Sequence, residues 1–128
     1  MEDSKYDILI IDDSKYIEKL LTIIIKSKGY SCKAVESTYS AMKELEAHIP
    51  KLILLDVNLP DSNGYDFCKM LKSSKKFNKI LVYYFTGVTE TEIAVKALET
   101  NADGYLKKPF DLSDFNDIFD QIKQYSIA

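Results

Sequence analysis

The 128 residues are 46% hydrophobic and 29% charged with a formal net charge of −3, the balance of a single soluble globular domain with one full core. Apolar residues are too many for disorder, 4 Gly and 3 Pro are too few for a collagen-like or low-complexity chain, and no apolar run approaches the ~20 residues of a membrane span. All 17 basic residues are Lys against 20 acidic ones, which disfavours nucleic-acid binding and leaves no guanidinium fork for phosphate or base edges.

The N-terminal Met1-Glu2-Asp3-Ser4-Lys5 lacks the basic-then-apolar pattern of a signal peptide, so the expected compartment is the cytoplasm. Ile8-Leu9-Ile10-Ile11 is too short for a helix and rich in β-branched residues, so it predicts a buried strand, which stops at Asp12-Asp13. Ser14 opens a helix whose apolar stripe is Ile17, Leu20, Leu21, Ile24 and Ile25, with Gly29 as terminator. Cys32–Val35 is a weaker strand. Ser37 or Thr38 caps a second helix that turns Ala41, Met42 and Leu45 inward and ends before Pro50.

Leu52-Ile53-Leu54-Leu55 is the clearest buried strand, and it too stops at an acid, Asp56. Pro60 and Gly64 punctuate a loop, and a third helix follows with Phe67, Met70 and Leu71 inward. The apolar run Ile80–Phe85 ends at Thr86-Gly87. Thr89 and Glu92 form a capping box for a fourth helix that buries Ile93, Ala97 and Leu98, and Asn101 ends it. Tyr105-Leu106 is a short strand before Lys107-Lys108-Pro109. Asp111 caps the last helix, striped by Phe115, Ile118, Phe119, Ile122 and Tyr125.

Strands apolar on both faces, alternating with amphipathic helices, indicate an α/β fold: a five-stranded parallel sheet, doubly wound, with helices on both sides. No internal repeat or linker interrupts it, so residues 1–128 are expected to form a single domain.

Ligands of an open parallel sheet bind beyond the carboxyl ends of its strands. Here those ends are Asp12-Asp13, Asp56, Thr86 and Lys108. Brought together, three carboxylates repel, and one takes up a proton unless a cation intervenes. Oxygen-only ligands with open positions suit Mg²⁺. Three carboxylates, Mg²⁺ and Lys108 sum to a neutral pocket, able to accept a phosphoryl group. Each signal alone has a plain alternative: a helix cap at Asp12-Asp13, a turn at Asp56, a loop start at Thr86, a solvated Lys-Pro. Their joint occurrence at four strand ends is the informative observation.

These residues make the chain resemble the receiver domains of two-component response regulators, in particular the single-domain chemotaxis type. The resemblance runs from about Tyr6 to Tyr125. It rests on Asp12-Asp13, Asp56-x-x-x-Pro60-x-x-x-Gly64, Thr86-Gly87 and Tyr105-x-x-Lys108-Pro109-Phe110. It implies the flavodoxin-like strand order 2-1-3-4-5. It also implies that Asp56 is the phosphoacceptor, forming an acyl phosphate with a phosphoryl group taken from a sensor histidine kinase or histidine phosphotransfer protein.

In that family pattern Asp13 and Asp56 ligate Mg²⁺ directly, with the backbone carbonyl of Asn58, while Asp12 acts through a metal-bound water. Thr86 and Lys108 hold the phosphoryl group, and Lys107 points the other way. The Lys108–Pro109 peptide is expected to be cis. Thr86 and Tyr105 form the switch, and the face made by the fourth helix, fifth strand and fifth helix signals to a downstream protein target or output domain. The chain is then a signalling switch rather than an enzyme, with limited self-phosphorylation and autodephosphorylation only. It makes no direct contact with nucleic acid or membrane.

Several residues add detail. Asn101 replaces a frequent Gly. Val88 is apolar where a polar residue would position a hydrolytic water. The lack of Arg argues against the charged dimer interface of one DNA-binding subfamily. Five Lys fall between Lys69 and Lys79 with no acid, either a solvated helix end favoured by the helix dipole or a docking patch for an acidic partner. His48 is expected at the surface. Cys32 and Cys68 match no metal spacing and are expected to be buried thiols.

Three other functions fit less well. An Asp-nucleophile phosphatase needs a second acid where Asn58 stands in Asp56-Val57-Asn58. A nucleotide or flavin binder needs a Gly- or Ser/Thr-rich loop where Asp12-Asp13 would repel phosphate. A receiver-like interaction module that is never phosphorylated is the remaining alternative, and the complete acidic set argues against it.

Overall fold

The computed structural model describes residues 5–108 and 110–127, with side chains described as far as residue 124. The elements alternate as expected: β1 (Ile8–Ile11), α1 (Lys15–Ser27), β2 (Cys32–Val35), α2 (Thr38–Ala47), β3 (Leu52–Asp56), α3 (Gly64–Ser73), β4 (Leu81–Thr86), α4 (Glu90–Thr100), β5 (Gly104–Lys107) and α5 (Asn116–Ile127). All pairings among these strands are parallel, in the order β2-β1-β3-β4-β5.

Alternation along the strands divides the core in two. Ile8, Ile10, Leu52, Leu54, Tyr83, Phe85 and Leu106 pack against α1 and α5. Leu9, Ile11, Ile53, Leu55, Val82 and Tyr84 pack against α2, α3 and α4. The chain crosses from one face to the other between β1 and β3, which creates a crevice at their carboxyl ends. No helix among the described residues is long and apolar enough to cross a membrane.

The caps follow local chemistry. Ser14 accepts from the Ile17 N–H, Ser37 from Ser40, and Thr89 from Glu92. Gly29 and Asn101 take positive φ at helix ends, 87° and 63°. Asp111 forms a reciprocal capping box with Asp114, but it opens a 3₁₀ turn, Leu112–Phe115, rather than α5 itself.

Four side-chain expectations are corrected. Met70 is 39% exposed, because Phe67, Cys68 and Leu71 fill the inward stripe of α3. Leu98 is 81% exposed. The buried place near the end of α4 goes instead to Thr100, which donates to the Lys96 carbonyl and accepts from the Tyr84 hydroxyl, both at 2.7 Å. His48 is half-buried, with Nε2 within 2.7 Å of the Tyr6 carbonyl and its ring edge-on to Tyr6. Cys68 is buried, but Cys32, on the edge strand β2, is only half so.

One lysine of the Lys69–Lys79 run is structural. The Lys72 ammonium donates to the Ile80 carbonyl and to Asp103, each at 2.8 Å, and Asp103 also accepts from the Val82 N–H. The side chain of Lys72 is only 11% exposed, whereas Lys69, Lys75, Lys76 and Lys79 are exposed. The predicted cis peptide at Lys108–Pro109 and the place of the Tyr125 side chain lie outside the described residues.

Candidate functional site

The site begins where the apolar runs of the strands give way to polar residues. Backbone pairing persists one residue beyond β1, since the Asp12 N–H donates to the Val35 carbonyl at 3.0 Å. That residue is 1% exposed. Asp13 turns outward and Ser14 starts α1. Ile11 lies beside Leu55, so Asp12 reaches the level of Asp56, the last residue of β3. One carboxylate oxygen from each of Asp12, Asp13 and Asp56 lies within 4.8 Å of the others.

Neither carboxylate oxygen of Asp12 meets a hydrogen-bond partner. Burying an unpartnered carboxylate is expensive, and a second carboxylate beside it adds repulsion. Burial first, and then Asp56, push Asp12 up to about 7, while the charge of Lys108 acts the other way. Such a carboxylate is relieved by a proton or by a cation. The donors are all oxygens and one of them, Asp13, is exposed, so the cluster fits a hard divalent ion that keeps waters, as Mg²⁺ does.

Asp56 is 7% exposed, and one of its oxygens accepts from the Asn58 N–H at 3.3 Å. The loop after it closes on itself. Asn58 bridges Asn63, the Gly64 N–H donates to the Val57 carbonyl at 2.8 Å, and Asn63 caps α3 through the Tyr65 N–H. Gly64 is required by closeness: a Cβ there would lie 2.5 Å from the Asp56 carbonyl oxygen and 2.9 Å from the Val57 Cα.

The other residues divide by strand alternation. Lys108 continues the face of Asp12 and Asp56, with its ammonium 4.9 Å from the centre of the Phe85 ring. Thr86, Tyr105 and Lys107 continue the opposite face. Thr86 is buried and accepts from the Val88 N–H at 3.2 Å. Tyr105 is half-buried, and its hydroxyl donates to Glu90 at 2.6 Å. Lys107 donates to the carbonyls of Gly87 and Val88, so the two adjacent lysines do part company.

All seven predicted site residues therefore lie at one end of the sheet. The structure adds two contacts that the sequence did not disclose, Lys107 on the loop after β4 and Glu90 on Tyr105. Neither belongs to a local spacing pattern, and each partner lies 15 or more residues away.

Residues 8–120 match the response regulator receiver domain family. The chain belongs to that family. It is a receiver domain of the two-component signalling type. Among relatives, the DNA-binding response regulator MtrA of Mycobacterium tuberculosis (strain ATCC 25618 / H37Rv) is 31% identical over 110 residues, covering 86% of this chain and 47% of that protein. The phosphate regulon transcriptional regulatory protein PhoB of Escherichia coli (strain K12) is 36% identical over 103 residues, covering 80% and 45%. The receiver domain thus spans about half the length of the curated relatives it matches. Among solved structures, the signal receiver domain of a signal transduction histidine kinase from Syntrophus aciditrophicus is 28% identical, with a TM-score of 0.79 over 94% of this chain and 89% of that one. A CheY-like receiver domain protein from Methanospirillum hungatei JF-1, 24% identical with a TM-score of 0.81 over 93% and 94%, shares the fold.

Proposed function

We propose that Asp56 of this receiver domain accepts a phosphoryl group from a histidine of a sensor kinase or phosphotransfer protein, and that the change is passed to a downstream protein or output domain. The observation that carries this function is the buried, unpartnered carboxylate of Asp12 within 4.8 Å of Asp13 and Asp56. The unit that acts is a single receiver domain of about residues 6–125, and its compartment is the cytoplasm.

Asp13, Asp56 and the Asn58 carbonyl would hold Mg²⁺, with Asp12 beside them. Once bound, Mg²⁺ neutralises charge on phosphoryl oxygens. An Asp56 carboxylate oxygen attacks phosphorus, the P–N bond to the donor imidazole breaks, and the ring nitrogen leaves with the electron pair and takes a proton. Lys108 exchanges its place over Phe85 for the new phosphoryl oxygens. Thr86 gives up the Val88 N–H and donates its hydroxyl to the same group. The Tyr105 ring, held outward by Glu90, then turns toward the space Thr86 leaves. Water later hydrolyses the acyl phosphate, which returns Asp56 and inorganic phosphate. The chain is a switch whose own chemistry is limited to this cycle.

The test is incubation with acetyl phosphate, with and without Mg²⁺, followed by intact mass measurement beside Asp56→Asn. The expected result is a gain of about 80 Da, one phosphoryl group, that requires both Mg²⁺ and Asp56. An Asp56→Asn protein that gains the same mass would move the acceptor elsewhere. Mg²⁺ binding with no adduct, and no beryllofluoride binding either, would leave a docking module that is not phosphorylated.

A further inference from the structure

We infer that Asp61 is a positioning residue for the phosphoryl-accepting site, holding the loop after β3 in place by capping α2 from outside that helix. The inference rests on the proposal that Asp56 is the acceptor and Asn58 a metal ligand. The first N–H groups of any helix lack intrahelical partners. In α2, the Ser37 side chain serves one of them, the Ser40 N–H, while its carbonyl takes the Ala41 N–H in the first intrahelical bond. The first turn of α2 contains no acid of its own.

The next two, the N–H groups of the first two helical residues, are met by Asp61. Its carboxylate accepts from the N–H groups of Thr38 and Tyr39, both at 3.1 Å, and from the Thr38 hydroxyl at 3.0 Å. The Ser62 hydroxyl donates to that same Thr38 oxygen at 3.2 Å. A negative carboxylate at a helix N-terminus is favoured both by these hydrogen bonds and by the helix dipole.

Asp61 sits at the outer part of the loop whose base carries Asn58. That base is closed by the Asn58–Asn63 bridge and the Gly64-to-Val57 hydrogen bond, and Asn58 donates to Asp56. The loop is thus held at its base by β3 and α3 and at its tip by α2. The approach to α2 is itself tied to α1 by the Lys15–Glu36 ion pair at 2.5 Å. A continuous rim runs from α1 through α2 to Asp61, and so to the residue that presents the Asn58 carbonyl. Releasing Asp61 frees the tip and widens the range of loop conformations without touching Asp12, Asp13 or Asp56.

The test compares Asp61→Ala with Ser37→Ala. Both remove a cap of α2, but only the first unties the loop. Mg²⁺ affinity is measured by titration calorimetry, and amide hydrogen exchange at Asn58 is measured by NMR in the metal-free protein. Asp61→Ala is expected to weaken Mg²⁺ binding roughly tenfold, as loss of a supporting outer contact does, and to speed exchange at Asn58. Ser37→Ala is expected to lower thermal stability and leave both readouts near those of the parent. Asp61→Asn, which keeps an acceptor oxygen, should fall between parent and Asp61→Ala. Equal effects of the two alanine variants, or unchanged Mg²⁺ affinity in Asp61→Ala, would overturn the inference alone. A parent protein that binds no Mg²⁺ would overturn the proposed function and this inference with it.

Discussion

At the scale of single residues, Asp12 is placed against its own stability. A solvated Asp ionises near 3.8, and in the folded protein Asp12 is raised to about 7 by burial and by Asp56. Between those pH values the folded state holds a proton that the unfolded chain has lost. Stability therefore falls as pH rises through this window, and above about pH 7 the whole penalty is present. Asp12→Asn is neutral and nearly the same shape. In EDTA at pH 8 it is expected to be more stable than the parent by on the order of 4 kcal/mol, with the difference vanishing near pH 4. Urea melts at the two pH values decide it, and equal midpoints at pH 8 would show that the Asp12 carboxylate carries no such penalty. The same residue shows how much of the site is legible in sequence. An apolar run that stops at an acid marks a strand end. That both oxygens are left without partners depends on Val35, Asp56 and the sheet around them.

At the scale of elements, the site depends on how closely α3 approaches β3. Gly64→Ala would place a Cβ against backbone atoms of Asp56 and Val57, which cannot rotate away. It is expected to cost about 1–3 kcal/mol, the range for overpacking, and to lower the melting temperature. Gly87→Ala meets nothing within 4 Å and should leave the melting temperature nearly unchanged. Thermal denaturation of both variants is the measurement, and equal melting temperatures would contradict the crowding at Gly64. Helix faces were the least legible elements. Periodicity defines a stripe but leaves its borders open, so Met70 and Leu98 could be placed on either side. Packing of α3 and α4 gave the inner places to Cys68 and Thr100 instead.

At the scale of the whole molecule, a ligand that binds only the folded state stabilises it by mass action. Mg²⁺ at a hundred times its dissociation constant should add about 2.7 kcal/mol, and EDTA should remove that gain. Asp13→Asn removes an exposed carboxylate of the cluster, and its melting temperature is expected to respond much less to Mg²⁺ than that of the parent. A parent whose melting temperature ignores Mg²⁺ over this range would count against a metal site at the sheet edge.

Local patterns along the chain were enough to specify the five strand–helix units, the caps at Ser14, Ser37 and Thr89, and the polar residues at the strand ends. These follow from local periodicity and from hydrogen bonding within three or four residues. Tertiary structure decided what depends on partners far along the chain. Lys72 meets Asp103 and Tyr6 meets His48, 31 and 42 residues apart, while Asp61 closes α2 across 23. The neighbours of β1 likewise come from distant segments, and their register brings Asp12 level with Asp56. Such contacts have no local period, because they depend on which surfaces meet once both faces of the sheet are covered.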